Sequence, residues 1–197
     1  MFNKINIKTL AIILLVLAAG IALLVLQEKR QGGRNFREHV VVLNPSEVSG
    51  ILLKPQSQGH EEVRFLLEDG QWYIRQGDQK LPADSAKVSS LLAAFTNLKV
   101  QRLAATQTDK WSDFQVDDTS STHIQIFGAD RTLASLYIGR FGFNQSARTG
   151  LSYVRVDGED EVYAVEGFLS MEVNQGMAHW LKQTLFEEVQ DTTASPG

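Results

Sequence analysis

The sequence predicts an α+β fold: one antiparallel-sheet domain with two packing helices, carried behind an N-terminal transmembrane helix. Three observations predict it. Residues 9–26 (TLAIILLVLAAGIALLVL) contain no charged side chain. From residue 39 onward, short alternating apolar runs are punctuated by Gly, Pro, Asn and Asp. The two helical periodicities of that region are separated by four or five such runs, whereas a nucleotide-binding α/β fold alternates single strands with helices.

The chain opens with an eight-residue tail, residues 1–8, before the apolar run. Eighteen helical residues span about 27 Å, close to the hydrocarbon thickness of a bilayer. No face of the run is polar, which argues against a buried helix of a small domain. Ala18, Ala19, Gly20 and Ala22 are small enough for a peptidase site, but Leu23 to Leu26 continue the apolar run past it, so an uncleaved anchor over 9–26 is expected. Residues 27–38 (QEKRQGGRNFRE) are polar with a Gly-Gly pair and read as a tether. Lys4 and Lys8 precede the run; Lys29, Arg30, Arg34 and Arg37 follow it. The Lys/Arg count leans toward a cytoplasmic C-terminal domain, while a short tail before an apolar run is the layout of an exported signal anchor.

The domain is expected over residues 39–189. Val40 to Leu43 is a β-branched run closed by Asn44-Pro45, and Ile51-Leu52-Leu53 ends before Pro55. Val63, Phe65 and Leu67 alternate with Arg64 and Glu68, and Asp69-Gly70 before Trp72-Tyr73-Ile74 is a hairpin signal. Asp84 is a candidate N-cap for a helix beginning at Ser85, whose apolar stripe runs through Val88, Leu91, Leu92, Phe95 and Leu98. A strand is expected over 100–104, then a turn anchored by Trp111 and Phe114. Strands follow at 123–127, 133–138, 152–156 and 161–165. A final helix carries Met177, Trp180, Leu181 and Leu185, and residues 190–197 form a polar, frayed tail.

The 197 residues contain no cysteine, which excludes disulfides, thiolate metal sites and cysteine nucleophiles. Residues 1–38 hold 6 basic and 2 acidic side chains, and the remaining residues hold 13 and 21. Such an acidic domain with no basic stripe is a poor nucleic-acid binder. There is no phosphate-cradling glycine motif and no nucleophile elbow. His39, His60, His123 and His179 have no ligand spacing, and the carboxylates of 157–161 lack the regular spacing of a calcium loop. No catalytic residue, cofactor or metal is expected.

One segment reads differently. Residues 139–150 (GRFGFNQSARTG) read as a long, glycine-rich connection carrying Arg140, Phe141, Phe143 and Arg148. Loops of that length are uncommon unless functional, and Arg and aromatic side chains are favoured at interface hot spots. These four residues are the candidate partner-binding set.

Taken in order, several anchors form a pattern: Trp72 with Ile74, Pro82-Ala83-Asp84 leading into the Val88/Leu91/Leu92 helix, Leu136-Tyr137-Ile138-Gly139, Ser152-Tyr153-Val154-Arg155, Val162-Tyr163-Ala164-Val165, and Trp180 before Leu185. Over most of residues 40–187 this resembles the bacterial family named domain of unknown function number 4340. The resemblance implies an N-terminal membrane anchor, an extracytoplasmic domain on the periplasmic side of the inner membrane, and gene neighbourhoods shared with ABC-type transporters. It implies no catalytic residues.

Three function classes follow. The first is a membrane-anchored accessory or scaffold subunit that binds another integral membrane or envelope protein, as a component of an ABC-type transporter system. The second is a tethered binding module for an envelope glycan or lipid, with a cleft lined by Trp72, Trp111 or Phe143. The third, an enzyme, requires Asp113 or Asp117 to converge with His123 in a pocket.

Overall fold

The computed structural model describes residues 37–145 and 147–183. The expected anchor at 9–26, most of the tether and the tail at 190–197 lie outside the described residues. Among the described residues no helix is long and apolar enough to cross a membrane. One compact unit begins at Glu38.

Ten strands among the described residues make one antiparallel sheet: β1 (His39–Val42), β2 (Gly50–Lys54), β3 (Val63–Glu68), β4 (Gln71–Gln76), β5 (Gln79–Pro82), β6 (Asn97–Ala105), β7 (Thr122–Phe127), β8 (Thr132–Asn144), β9 (Thr149–Val156) and β10 (Val162–Glu166). Their order is β1-β6-β10-β9-β8-β7-β2-β3-β4-β5. Two meanders, β2 to β5 and β7 to β10, join where β2 pairs with β7. The α+β expectation holds: helix α1 (Ser85–Phe95) connects β5 to β6, and three short helices follow: α2 (Trp111–Phe114), α3 (Leu169–Val173) and α4 (Met177–Trp180).

Local chemistry explains several elements. Asp69 (φ 49°) and Gly70 (φ 76°) both adopt positive φ between β3 and β4, as a two-residue turn matched to strand twist requires. The Asp84 carboxylate accepts from the Ala86 and Lys87 amides, a cap worth about 1 kcal/mol. Val88, Leu91, Leu92 and Phe95 are buried along α1. This helix packs against both β4 and β6, the ninth and second strands of the sheet. A flat sheet would separate those strands by about 34 Å, twice the ~16 Å length of α1, so the sheet curls around the helix.

The structure departs from the sequence reading at three places besides 139–150. Leu98 belongs to β6, because the helix ends at Phe95 and the chain turns immediately into the strand. It is buried, so its apolar periodicity reported burial and not helix. The edge strand β5 is polar and half-exposed, with no apolar alternation to announce it. The expected C-terminal helix is only the four residues of α4, after which Leu181 bridges to Ala83. Leu185 lies outside the described residues.

A second apolar cluster sits apart from the main core. Val116, Leu151, Tyr153, Val162 and Ala164 are buried there, with Trp111 and Phe114 packed against them. The sheet is covered here by the 111–116 segment, while α3 packs against β7, β8 and β9. Two-sided cover accounts for the nearly unbroken burial along β9 and β10.

Candidate docking site at the β8–β9 hairpin

Residues 139–150 are not a loop. Strand β8 continues to Asn144 and β9 begins at Thr149, so only residues 145–148 connect them. The glycines that suggested a connection are packing positions. A Cβ on Gly139 would lie 2.1 Å from the Phe114 carbonyl oxygen, and one on Gly150 would lie 2.9 Å from both the Phe141 and Phe168 rings. Glycine is what allows close approach at these points.

A bulge then sets which side chains meet. Ile138 pairs with Val154 and Phe141 with Ser152, so three steps along β8 oppose two along β9. The extra residue reverses the parity of the strand. Phe141 therefore emerges on the face of Ile138, where α3 packs, and Phe143 follows it two residues on. The Phe141 ring stacks on Phe168 with centroids 5.4 Å apart and planes at 11°. Phe141, Phe143, Phe168 and Met171 remain 39%, 57%, 53% and 57% exposed, an unusual concentration of uncovered apolar side chains. Arg140 goes the other way: its guanidinium sits 5.2 Å from the Tyr153 ring and 5.8 Å from Phe114. Arg148 lies in the connection with φ 53°.

The four expected residues thus divide. Phe141 and Phe143 share the apolar face, Arg140 lies on the opposite one, and Arg148 caps the tip. Phe168 and Met171 complete the face and were missed. Their only signal was an apolar pair at helical spacing after Gly167, which does not separate exposed from buried.

Two cavities flank the face. One of about 400 Å³ is lined by Gln115, Ser120, Gly139, Phe141, Met171 and Asn174. The other, about 450 Å³, is lined by Lys87, Leu91, Met171, Glu172 and Trp180. Met171 borders both. Asn174 is fixed, its side-chain oxygen accepting from the Ser57 amide at 2.9 Å and the Thr122 hydroxyl at 3.2 Å.

The carboxylates and the histidine named for an enzyme do not converge. Asp113 faces Lys110 at 3.6 Å. Burial raises the Asp117 carboxyl, but hydrogen bonds from the Ser120 and Thr119 hydroxyls and amides outweigh it and hold the group at about 2. Its carboxylate closes a local turn. His123 lies 3.1 Å from the Ser135 hydroxyl, which donates to Asp157 at 3.0 Å. The serine stands between histidine and carboxylate, so the carboxylate does not orient the imidazole as a nucleophile-activating base requires. Burial lowers the His123 pKa, and the ring stacks on Tyr137 at 4.4 Å. Among the described residues no group of three potential metal ligands gathers. Trp72 is buried, and the Trp111 ring is covered by Arg155 at 3.8 Å with its N–H donated to the Asp160 carbonyl. Of the three aromatics expected in a glycan or lipid cleft, only Phe143 is exposed.

Asp117 carries a pH prediction. Its folded pKa lies below the ordinary value, so its stabilisation is present above about pH 4 and lost as pH falls toward 2. The stability gap between the native chain and Asp117→Asn should therefore narrow over that interval in urea titrations at stepped pH.

Comparison with protein families settles the relationship. The family model described as Domain of unknown function (DUF4340) matches residues 68–195. The chain belongs to this family. No curated protein and no solved structure matches it. The DUF4340 match begins at the last residue of β3, later than the residue 40 expected, and runs past 187. The hairpin, α3 and both flanking cavities fall inside the DUF4340 region, apart from Gln56 at one cavity's rim.

Proposed function

We propose that this chain is a non-enzymatic, membrane-anchored accessory subunit that docks another envelope protein through the apolar face of the β8–β9 hairpin and α3. The observation that carries the reading is the cluster of Phe141, Phe143, Phe168 and Met171, uncovered on the β8–β9 hairpin and at α3 beside two cavities. Aromatic and methionine side chains are enriched at protein interfaces, and a few such anchors carry most of the binding energy. The uncharged run at 9–26 supports an anchor. The family resemblance supports a periplasmic domain and a partner within an ABC-type transporter system. Anchoring confines the domain to the membrane surface and raises the effective concentration of its partner, so a modest interface suffices.

The test is Phe143→Asp combined with Met171→Asp in the full-length tagged chain, purified from native membranes in mild detergent. Both side chains are more than half exposed, so stability should change by less than about 0.5 kcal/mol. Recovery of the co-purifying envelope protein should fall about 30-fold. Unchanged recovery with an unchanged melting temperature would contradict the proposal.

A further inference from the structure

Beyond Ile138, strand β8 outruns its neighbour. Strand β7 begins at Thr122, opposite Ile138, so residues 139–143 have no strand beside them on that side among the described residues; on the other side Phe141 to Phe143 pair with β9, and Gly139 and Arg140 form the bulge. This stretch is about 17 Å long at strand rise. The 400 Å³ cavity lies alongside it, between Gln115 and Ser120 on one wall and Ser170, Met171 and Asn174 on the other. Thr122, the first residue of β7, also lines it.

The sheet's outer edges differ from this one. Strands β1 and β5 are only four residues long, and β5 carries Lys80 and ends at Pro82, ordinary protections against pairing; the β8 edge carries the bulge at 139–140 but neither Lys nor Pro. The inner edge of β8 instead presents Phe141 and Phe143 on the α3 face. Arg140 lines the cavity from within this stretch and Arg148 stands at the tip, in a domain whose charge is otherwise acidic.

We infer that this edge is a strand-addition site: an extended segment of the partner protein pairs antiparallel with residues 139–143, in line with β7. Main-chain hydrogen bonds supply affinity in this mode, and alternate side chains supply selectivity. Every second residue of the segment is apolar, packing on Phe141, Phe143 and Met171. Acidic residues at its ends meet Arg140 and Arg148. The inference rests on the docking reading above and specifies its geometry.

The probe is a fluorescent octapeptide of alternating valine and threonine with a glutamate at each end, titrated by anisotropy against the full-length chain in detergent micelles. Two further peptides carry N-methyl groups on one or the other set of alternate residues. In a strand, those two sets present their N–H groups to opposite edges. The unmodified peptide should bind saturably. One methylated set should lose affinity at least tenfold, while the other binds as the parent does. Phe143→Asp should also weaken the parent peptide about tenfold. No saturable binding, equal binding of all three peptides, or indifference to Phe143→Asp would each overturn strand addition. Loss of the native partner on the double substitution described above, with no peptide bound, would retain docking and discard only its geometry.

Discussion

Gly139→Ala is expected to destabilise the domain by about 3 kcal/mol, among the largest effects open to a single methyl group. The added Cβ would lie 2.1 Å from the Phe114 carbonyl oxygen, 2.7 Å from the Gln115 carbonyl oxygen and 2.8 Å from a Val116 methyl. Two of these three atoms are main chain and cannot rotate away. Nor can the segment retreat easily. The Val116 amide donates to the Trp111 carbonyl, the Val116 carbonyl accepts from Arg155, and Gln115 already sits at φ 56°. The 111–116 segment must lift, uncovering Leu151, Tyr153, Val162 and Ala164. Gly142→Ala is the control: the atoms nearest its Cβ would belong to the Tyr153 side chain, at 3.1 Å and beyond, and it should cost less than about 1 kcal/mol. Urea midpoints at a constant slope measure both. A loss below 1 kcal/mol at Gly139 would mean that the segment does not press on β8.

Arg155→Met is expected to cost about as much, by a different route. The Arg155 side chain is 4% exposed. Its guanidinium is sandwiched between the rings of Trp111 at 3.8 Å and Tyr137 at 3.9 Å, and its Nε donates to the Val116 carbonyl at 3.0 Å. A desolvated cation on an aromatic face contributes about 2 kcal/mol, and a charged hydrogen bond about 1.5–3 kcal/mol. Methionine keeps much of the volume but leaves the Val116 carbonyl without this donor, so a loss of about 3 kcal/mol follows. The ion pair with Asp118 is not the source. Asp118 is 75% exposed, and Asp118→Ala should cost less than about 1 kcal/mol. Equal losses in the two variants would show that the pair, not the stacked cation, holds the segment.

Both residues bear on the proposed site through one element. The 111–116 segment presses on Gly139 from one side, is tied down by Arg155 from the other, and contributes Gln115 to the wall of the cavity beside β8. Destabilising variants here should therefore also weaken docking.

The sequence was most legible where structure is decided locally. Asp69-Gly70 names its own turn because few residues tolerate two consecutive positive φ values. Asp84 names its own helix start because its carboxylate reaches the amides two and three residues ahead. The hairpin was misread because the meaning of its glycines is set by residues distant in the chain. Gly139 is small on account of Phe114 and Gln115, and Gly150 on account of Phe141 and Phe168. Read locally, both resemble loop punctuation. The bulge was equally invisible, since it is a mismatch between two strands and belongs to neither sequence alone. Strand alternation sends Phe141 and Arg140 to opposite faces, and the mismatch decides that Phe141 takes the α3 face, which is why the candidate set was half assembled. Polar β5 was missed for the complementary reason: an edge strand with two partly wetted faces needs no alternation.

The measurement that most directly tests the docking account places a photo-crosslinking amino acid at position 143 of the full-length chain in native membranes. A second chain carries the probe at position 42, where Val42 is 73% exposed at the end of β1 and far from the hairpin along the sheet order. The account predicts a discrete adduct with one envelope protein from position 143 and none from position 42. No adduct from position 143, or the same adducts from both positions, would contradict it.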